Sequence, residues 1–238
     1  MAEPTIRFGT QGAYARPDVD EGLRAYMLRV YNYMGAGLAL SGIIAYIVGN
    51  SPDTMAAIYG TPLQWVVLLA PLAFSLVLSF GINRISAGTA QALFWAFAAT
   101  MGVSLASIFV LYTGASIARV FFISAATFGA MSLYGYTTKR NLAQFSSFLF
   151  MGLVGVVLAS VVNLFLASSG LSFVISVVGV LVFVGLTAHD TQAIREWYAE
   201  GDEASQMTKK AIYGALTLYL DFINLMVMLL RLFGERRQ

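Results

Sequence analysis

The run Ala211-Ile-Tyr-Gly-Ala-Leu-Thr-Leu-Tyr-Leu-Asp-Phe-Ile-Asn-Leu-Met-Val-Met-Leu-Leu-Arg-Leu-Phe233 decides how this chain must be read. It is long enough to cross a bilayer core of about 30 Å, for which about 20 mostly apolar residues suffice. Yet Asp221 lies well inside it. A carboxylate in hydrocarbon costs about 3 kcal/mol or more, so an acid inside a span is a functional candidate by default. Around it Gly214, Thr217, Asp221, Asn224, Met228 and Arg231 recur at alternating three- and four-residue steps, which puts them on one helix face.

Six further stretches upstream qualify as spans, giving seven: 30–48, 63–82, 90–112, 118–137, 145–167, 171–189 and 211–233. Composition agrees. The 238 residues are 58% hydrophobic and 11% charged, against about 25% charged in soluble domains. The connections are short, with Pro52 and Gly60 in the first and Ser168, Ser169 and Gly170 in the fifth, and they leave no room for a second domain. The expected division is a cytoplasmic tail and lead-in helix over residues 1–29, a seven-helix domain over 30–233 and a tail over 234–238. Residues 1–29 mix acids with Arg7, Arg16, Arg24 and Arg29 and hold no apolar core, so they are not a signal peptide. Their first part is expected to be a disordered tail, and 21–33 an amphipathic lead-in.

Several classes drop out. A net charge of +2 with no basic cluster argues against nucleic acid, and the absence of cysteine removes thiolate chemistry and disulfides. Lys139, Lys209 and Lys210 all flank spans, so no buried lysine can carry a retinal-type Schiff base. Arg84, Lys139, Arg140, Arg195, Lys209 and Lys210 join the N-terminal arginines on one side, which by the positive-inside rule is cytoplasmic. Arg231, Arg236 and Arg237 fall on the other side if all seven segments cross. Either the last segment re-enters, or the earlier loops outvote it; we favour the second.

Asp190 is the other acid, closing the sixth span in Gly185-Leu-Thr-Ala-His-Asp-Thr-Gln192. Ser172, Ser176, Gly179, Phe183, Thr187 and Asp190 make a weaker stripe that can face that of the seventh span. Two carboxylates in a poorly solvated site share a proton, which makes them a pH-sensitive latch. Fully ionised, they repel, admit water and attract a cation. Calcium prefers six to eight oxygens, so two aspartates would hold it weakly and transiently, as permeation requires. The alternative for Asp190 is an interfacial acid bonded to a helix end. Depth arithmetic also opposes the pairing: with Lys210 at the surface, Asp221 is about 16 Å deep while Asp190 stays near the surface. Arg84 can reach a carboxylate or merely anchor its helix. His189, the sole histidine, adjoins Asp190 but points about 100° away round the helix. Small residues such as Gly152, Gly155, Ala159, Gly179 and Gly185 are expected to serve packing.

The strings Asp190-Thr-Gln-Ala-Ile194, Leu218-Tyr-Leu-Asp-Phe-Ile-Asn-Leu225, Leu230-Arg-Leu-Phe-Gly234 and Leu23-Arg-Ala-Tyr-Met-Leu-Arg-Val-Tyr-Asn-Tyr33 together resemble the Bax inhibitor-1 family, in its bacterial branch. The resemblance implies six helices wrapped round a central C-terminal seventh. It implies a pH-sensitive calcium leak in which Asp190 and Asp221 form the sensor and gate and Arg84 engages them. His189 stands where the family commonly has Tyr, so it, with Asn224, is a candidate modulator. Membrane lipids, calcium and protons are the expected partners, calcium as permeant ion and no cofactor, with the bacterial inner membrane as location. A regulatory protein docking on another membrane protein, such as a protease, is the second reading, and a proton-coupled transporter the third. No enzyme is expected: the Gly-x-Gly-Asp pattern of intramembrane aspartyl proteases is missing from both acids.

Overall fold

Helices in lipid begin where a side chain can accept the free N–H groups of a first turn, and the short loops of this chain supply such residues. Ser86, Thr113 and Ser168 accept from the backbone N–H of Thr89, Ser116 and Leu171. The structure, a computed structural model, describes residues 17–237. Its elements are α1 (Pro17–Gly49), α2 (Pro52–Tyr59), α3 (Leu63–Gly81), α4 (Ala87–Leu111), α5 (Gly114–Thr137), a 3-10 turn (Leu142–Phe145), α6 (Ser146–Leu166), α7 (Ser169–Glu196) and α8 (Ala204–Phe233). All but α2 and the turn are long and apolar enough to cross a membrane, seven in all. This is an all-α membrane architecture.

The structure adds to the sequence reading in three places. The lead-in is continuous with the first span: α1 is one helix from Pro17, with Tyr26, Met27, Val30 and Met34 buried along one stripe. The expected disordered tail falls on residues 1–16, outside the described ones. The first loop contains α2, which starts with Pro52 in its first turn, where a missing N–H costs nothing, and whose Tyr59 hydroxyl bonds the carbonyls of Val103 and Ser104 at 2.9 and 3.1 Å. Finally, α7 runs on past His189 to Glu196.

Packing is organised by α8, which touches α1, α3, α4, α5 and α7. Its neighbours approach closely where glycine allows. A Cβ on Gly135 of α5 would stand 2.2 Å from the Ala188 carbonyl oxygen of α7, and one on Gly102 of α4 2.7 Å from that of Ser41 on α1. Gly152 and Gly185 make the α6–α7 seam, opposite Val182 and Leu149, as small residues in membrane bundles do. Gly155 has open space round it and no such role. α6 packs chiefly on α7, so the ring round α8 is looser on that side.

The last segment runs the full length of the bundle. Beyond α8 the tail pairs with the α4–α5 turn, at the end opposite the α1 start: Thr113 N donates to Glu235 O at 3.0 Å, Arg237 N to Leu111 O at 3.0 Å, and Glu235 N to Ser116 Oγ at 2.8 Å. Arg119 adds an ion pair with Glu235 at 3.0 Å. Arg236 and Arg237 therefore sit away from the basic end that carries Lys139, Arg140 and Lys210.

Candidate functional site

The antiparallel register of α7 and α8 places the two acids. Gly214 of α8 lies against Ile194 of α7, and Met228 of α8 against Gly179 of α7. Between these contacts the level of Asp190 falls near Leu218, so Asp221 is about one helical turn, or 5 Å, further from the basic end. The larger offset expected from the sequence came from taking His189 as the end of the span and Lys210 as a surface marker. In the structure α7 continues two turns beyond Asp190, and the Lys210 amine reaches back to the Trp197 carbonyl at 2.7 Å and Asp202 Oδ2 at 2.6 Å.

Asp221 is 5% exposed, and its Oδ2 is buried with no hydrogen-bond partner among the described residues. Asp190 stands about one turn away across the α7–α8 seam. Its own Oδ1 meets Nδ1 of His189 at 2.7 Å, so it is bonded to its neighbour's ring and not to a helix end. The adjacent side chains converge despite their angular separation. The two polar stripes do face one another: Ser176 and Thr187 are buried, and Ser172, Phe183, Asn224 and Arg231 line one cavity of about 520 Å³ between α6, α7 and α8. Asn224 donates to the Leu220 carbonyl at 2.8 Å. Arg84 stands apart, exposed in the turn after α3, and enters none of the ion pairs among the described residues.

The residues after Asp190 build its support, which residue-type reasoning missed. Thr191 Oγ1 and Ser132 Oγ of α5 are 3.0 Å apart, and Ser132 meets Tyr31 OH of α1 at 2.5 Å. Gln192 accepts from Leu142 N at 2.7 Å and donates to Arg140 O at 2.9 Å, clamping the turn before α6. Arg195 donates to the Tyr136 carbonyl at 2.5 Å, closing the end of α5. Beyond Asp221, Tyr219 OH and Ser41 Oγ are 2.7 Å apart, and Ser41 donates to Ala98 O at 2.6 Å, tying α8 to α1 and α4. Hydroxyls that bond across helices in lipid contribute about 0.6 kcal/mol each, enough to fix orientation when several act together. The signal available in sequence was the cluster of Thr191 and Gln192 directly after an intramembrane acid.

Fold and sequence together define a seven-helix integral membrane protein with a buried acid, Asp221, on its last helix. The family model described as "Inhibitor of apoptosis-promoting Bax1" matches residues 23–238, and the chain belongs to this family, the Bax inhibitor-1 family. It is 49% identical over 220 residues to an uncharacterised protein of Rickettsia prowazekii, covering 92% of each chain. It is 48% identical over 219 residues to the inner membrane protein YbhL of Escherichia coli, covering 91% of this chain and 94% of the relative. An uncharacterised membrane protein of Streptococcus pyogenes is 35% identical over 227 residues, covering 93% and 96%.

Proposed function

We propose that the protein is a pH-sensitive calcium leak channel in which Asp190 and Asp221 are the sensor and gate. The observation that carries this is the unsatisfied Asp221 Oδ2, buried at the middle of the bundle one turn from a second carboxyl. A buried acceptor without a partner is costly unless it is used. One proton shared by the pair bonds them and holds α7 against α8; loss of that proton leaves two anions that repel across the seam and admit a hydrated cation. Two aspartates supply fewer oxygens than the six to eight that calcium prefers, which suits an ion in transit better than one stored. The Arg84 role implied by the family requires it to swing in from its exposed turn.

The lysine and arginine bias supports a cytoplasmic N-terminus, and the likeness to an inner membrane protein supports a bacterial cytoplasmic membrane. The test is calcium release from proteoliposomes across mildly acidic to mildly alkaline pH. Wild-type flux should fall on the acid side, and Asp221→Asn and Asp190→Asn should flatten that dependence. Wild-type-like flux and pH response in Asp221→Asn would sink the reading.

A further inference from the structure

A second cavity, of about 340 Å³, opens at the basic end between α5, the 3-10 turn, α6 and α7. Apolar side chains, Phe145, Phe148 and Leu149 among them, share its lining with the polar Arg140, Gln144, Tyr134 and His189. Arg140 enters none of the ion pairs among the described residues. Its carbonyl is engaged by Gln192, which fixes the backbone, and the residue lines the cavity. His189 has Nδ1 committed to Asp190, so Nε2 is the ring atom left for a ligand. A guanidinium, an imidazole, an amide and a phenol beside apolar walls are complementary to a phosphodiester with hydrocarbon attached. Basic pockets between membrane helices on the cytoplasmic side take anionic head groups in this way.

We infer that this cavity binds an anionic phospholipid of the inner leaflet, with its phosphate on Arg140 and His189 and the start of an acyl chain over Phe145 and Phe148. The site lies one bond from the gate. An imidazolium donates from both nitrogens, so phosphate on Nε2 and Asp190 on Nδ1 share one ring, and the bound lipid holds Asp190 turned toward His189. That coupling rests on the reading of Asp190 and Asp221 as a gate; occupancy of the cavity does not.

Since His189 is the only histidine, its ring nitrogens give a single pair of side-chain resonances, and the test needs no flux measurement. The histidine-labelled protein is reconstituted in phosphatidylcholine vesicles and in phosphatidylcholine–phosphatidylglycerol vesicles, and the Nε2 shift is compared. Phosphatidylglycerol should move Nε2, Arg140→Gln should remove most of that movement, and Lys139→Gln, outside the cavity, should leave it. No movement overturns the proposal. So does an equal loss in Arg140→Gln and Lys139→Gln, which would mark a general surface-charge effect. Inorganic phosphate added to phosphatidylcholine vesicles should not reproduce the shift; if it does, the ligand is free phosphate and the lipid proposal falls.

Discussion

α8 and α6 are both membrane-length helices, and they are opposites. In α8, 61% of the most apolar stretch is buried within the protein; in α6 it is 11%. α8 holds Asp221, Asn224 and Thr217, whereas α6 presents Phe148, Phe150, Leu158 and Phe165 to the outside. In water the more apolar helix would be the inner one. In lipid, apolar surface gains little by hiding, so the helix with more polar groups to satisfy is drawn to the middle and the more apolar one is left at the rim.

The contrast can be broken most directly by truncating one leucine in each helix. Leu218→Ala, at a fully buried position of α8, should cost about 2–5 kcal/mol in reversible unfolding from mixed micelles, while Leu164→Ala, 80% exposed on α6, should stay within about 0.5 kcal/mol. Equal losses would mean that α8 is not the packed centre. Glycines give a smaller contrast. A Cβ at Gly214 already stands 3.0 Å from Ile194, so Gly214→Val should cost about 1–3 kcal/mol, and Gly155→Val, with nothing within 4 Å, close to none. Gln192→Leu removes both bonds that hold the turn before α6, at about 1–2 kcal/mol. Its faster hydrogen exchange should be confined to that turn and the start of α6; spread into α8 would show that the two helices are not independent. Smallest of all, Arg119→Gln breaks an exposed ion pair and should change stability by about 0.5 kcal/mol or less.

How much of this was legible depends on which residues pay a penalty in lipid. The seven spans were readable because each is a long apolar run, and Asp221 because a lone acid in such a run has no bland explanation. The α8 face could be traced from Gly214 to Arg231 by spacing alone. Thr191, Ser132 and Tyr31 left no comparable trace: hydroxyls in a membrane helix can satisfy themselves on their own backbone, as Ser124 does on Val120, so their presence does not announce a cross-helix bond. The depth of Asp190 was misjudged because hydropathy ends at His189 while the helix does not. α2 was hidden because eight residues containing Pro52 and Asp53 read as a loop, and only the packing of Tyr59 on α4 makes them a helix worth keeping.

The stitched tail has a mechanical consequence. α8 is pinned at both ends, by Lys210 to the loop before it and by Glu235 and Arg237 to the α4–α5 turn. A rod so held cannot slide like a piston without breaking one anchor or the other. A twist about its long axis would in turn load the Tyr219–Ser41 bond two residues from Asp221, so the anchors fix the height of that acid and the bond fixes its heading.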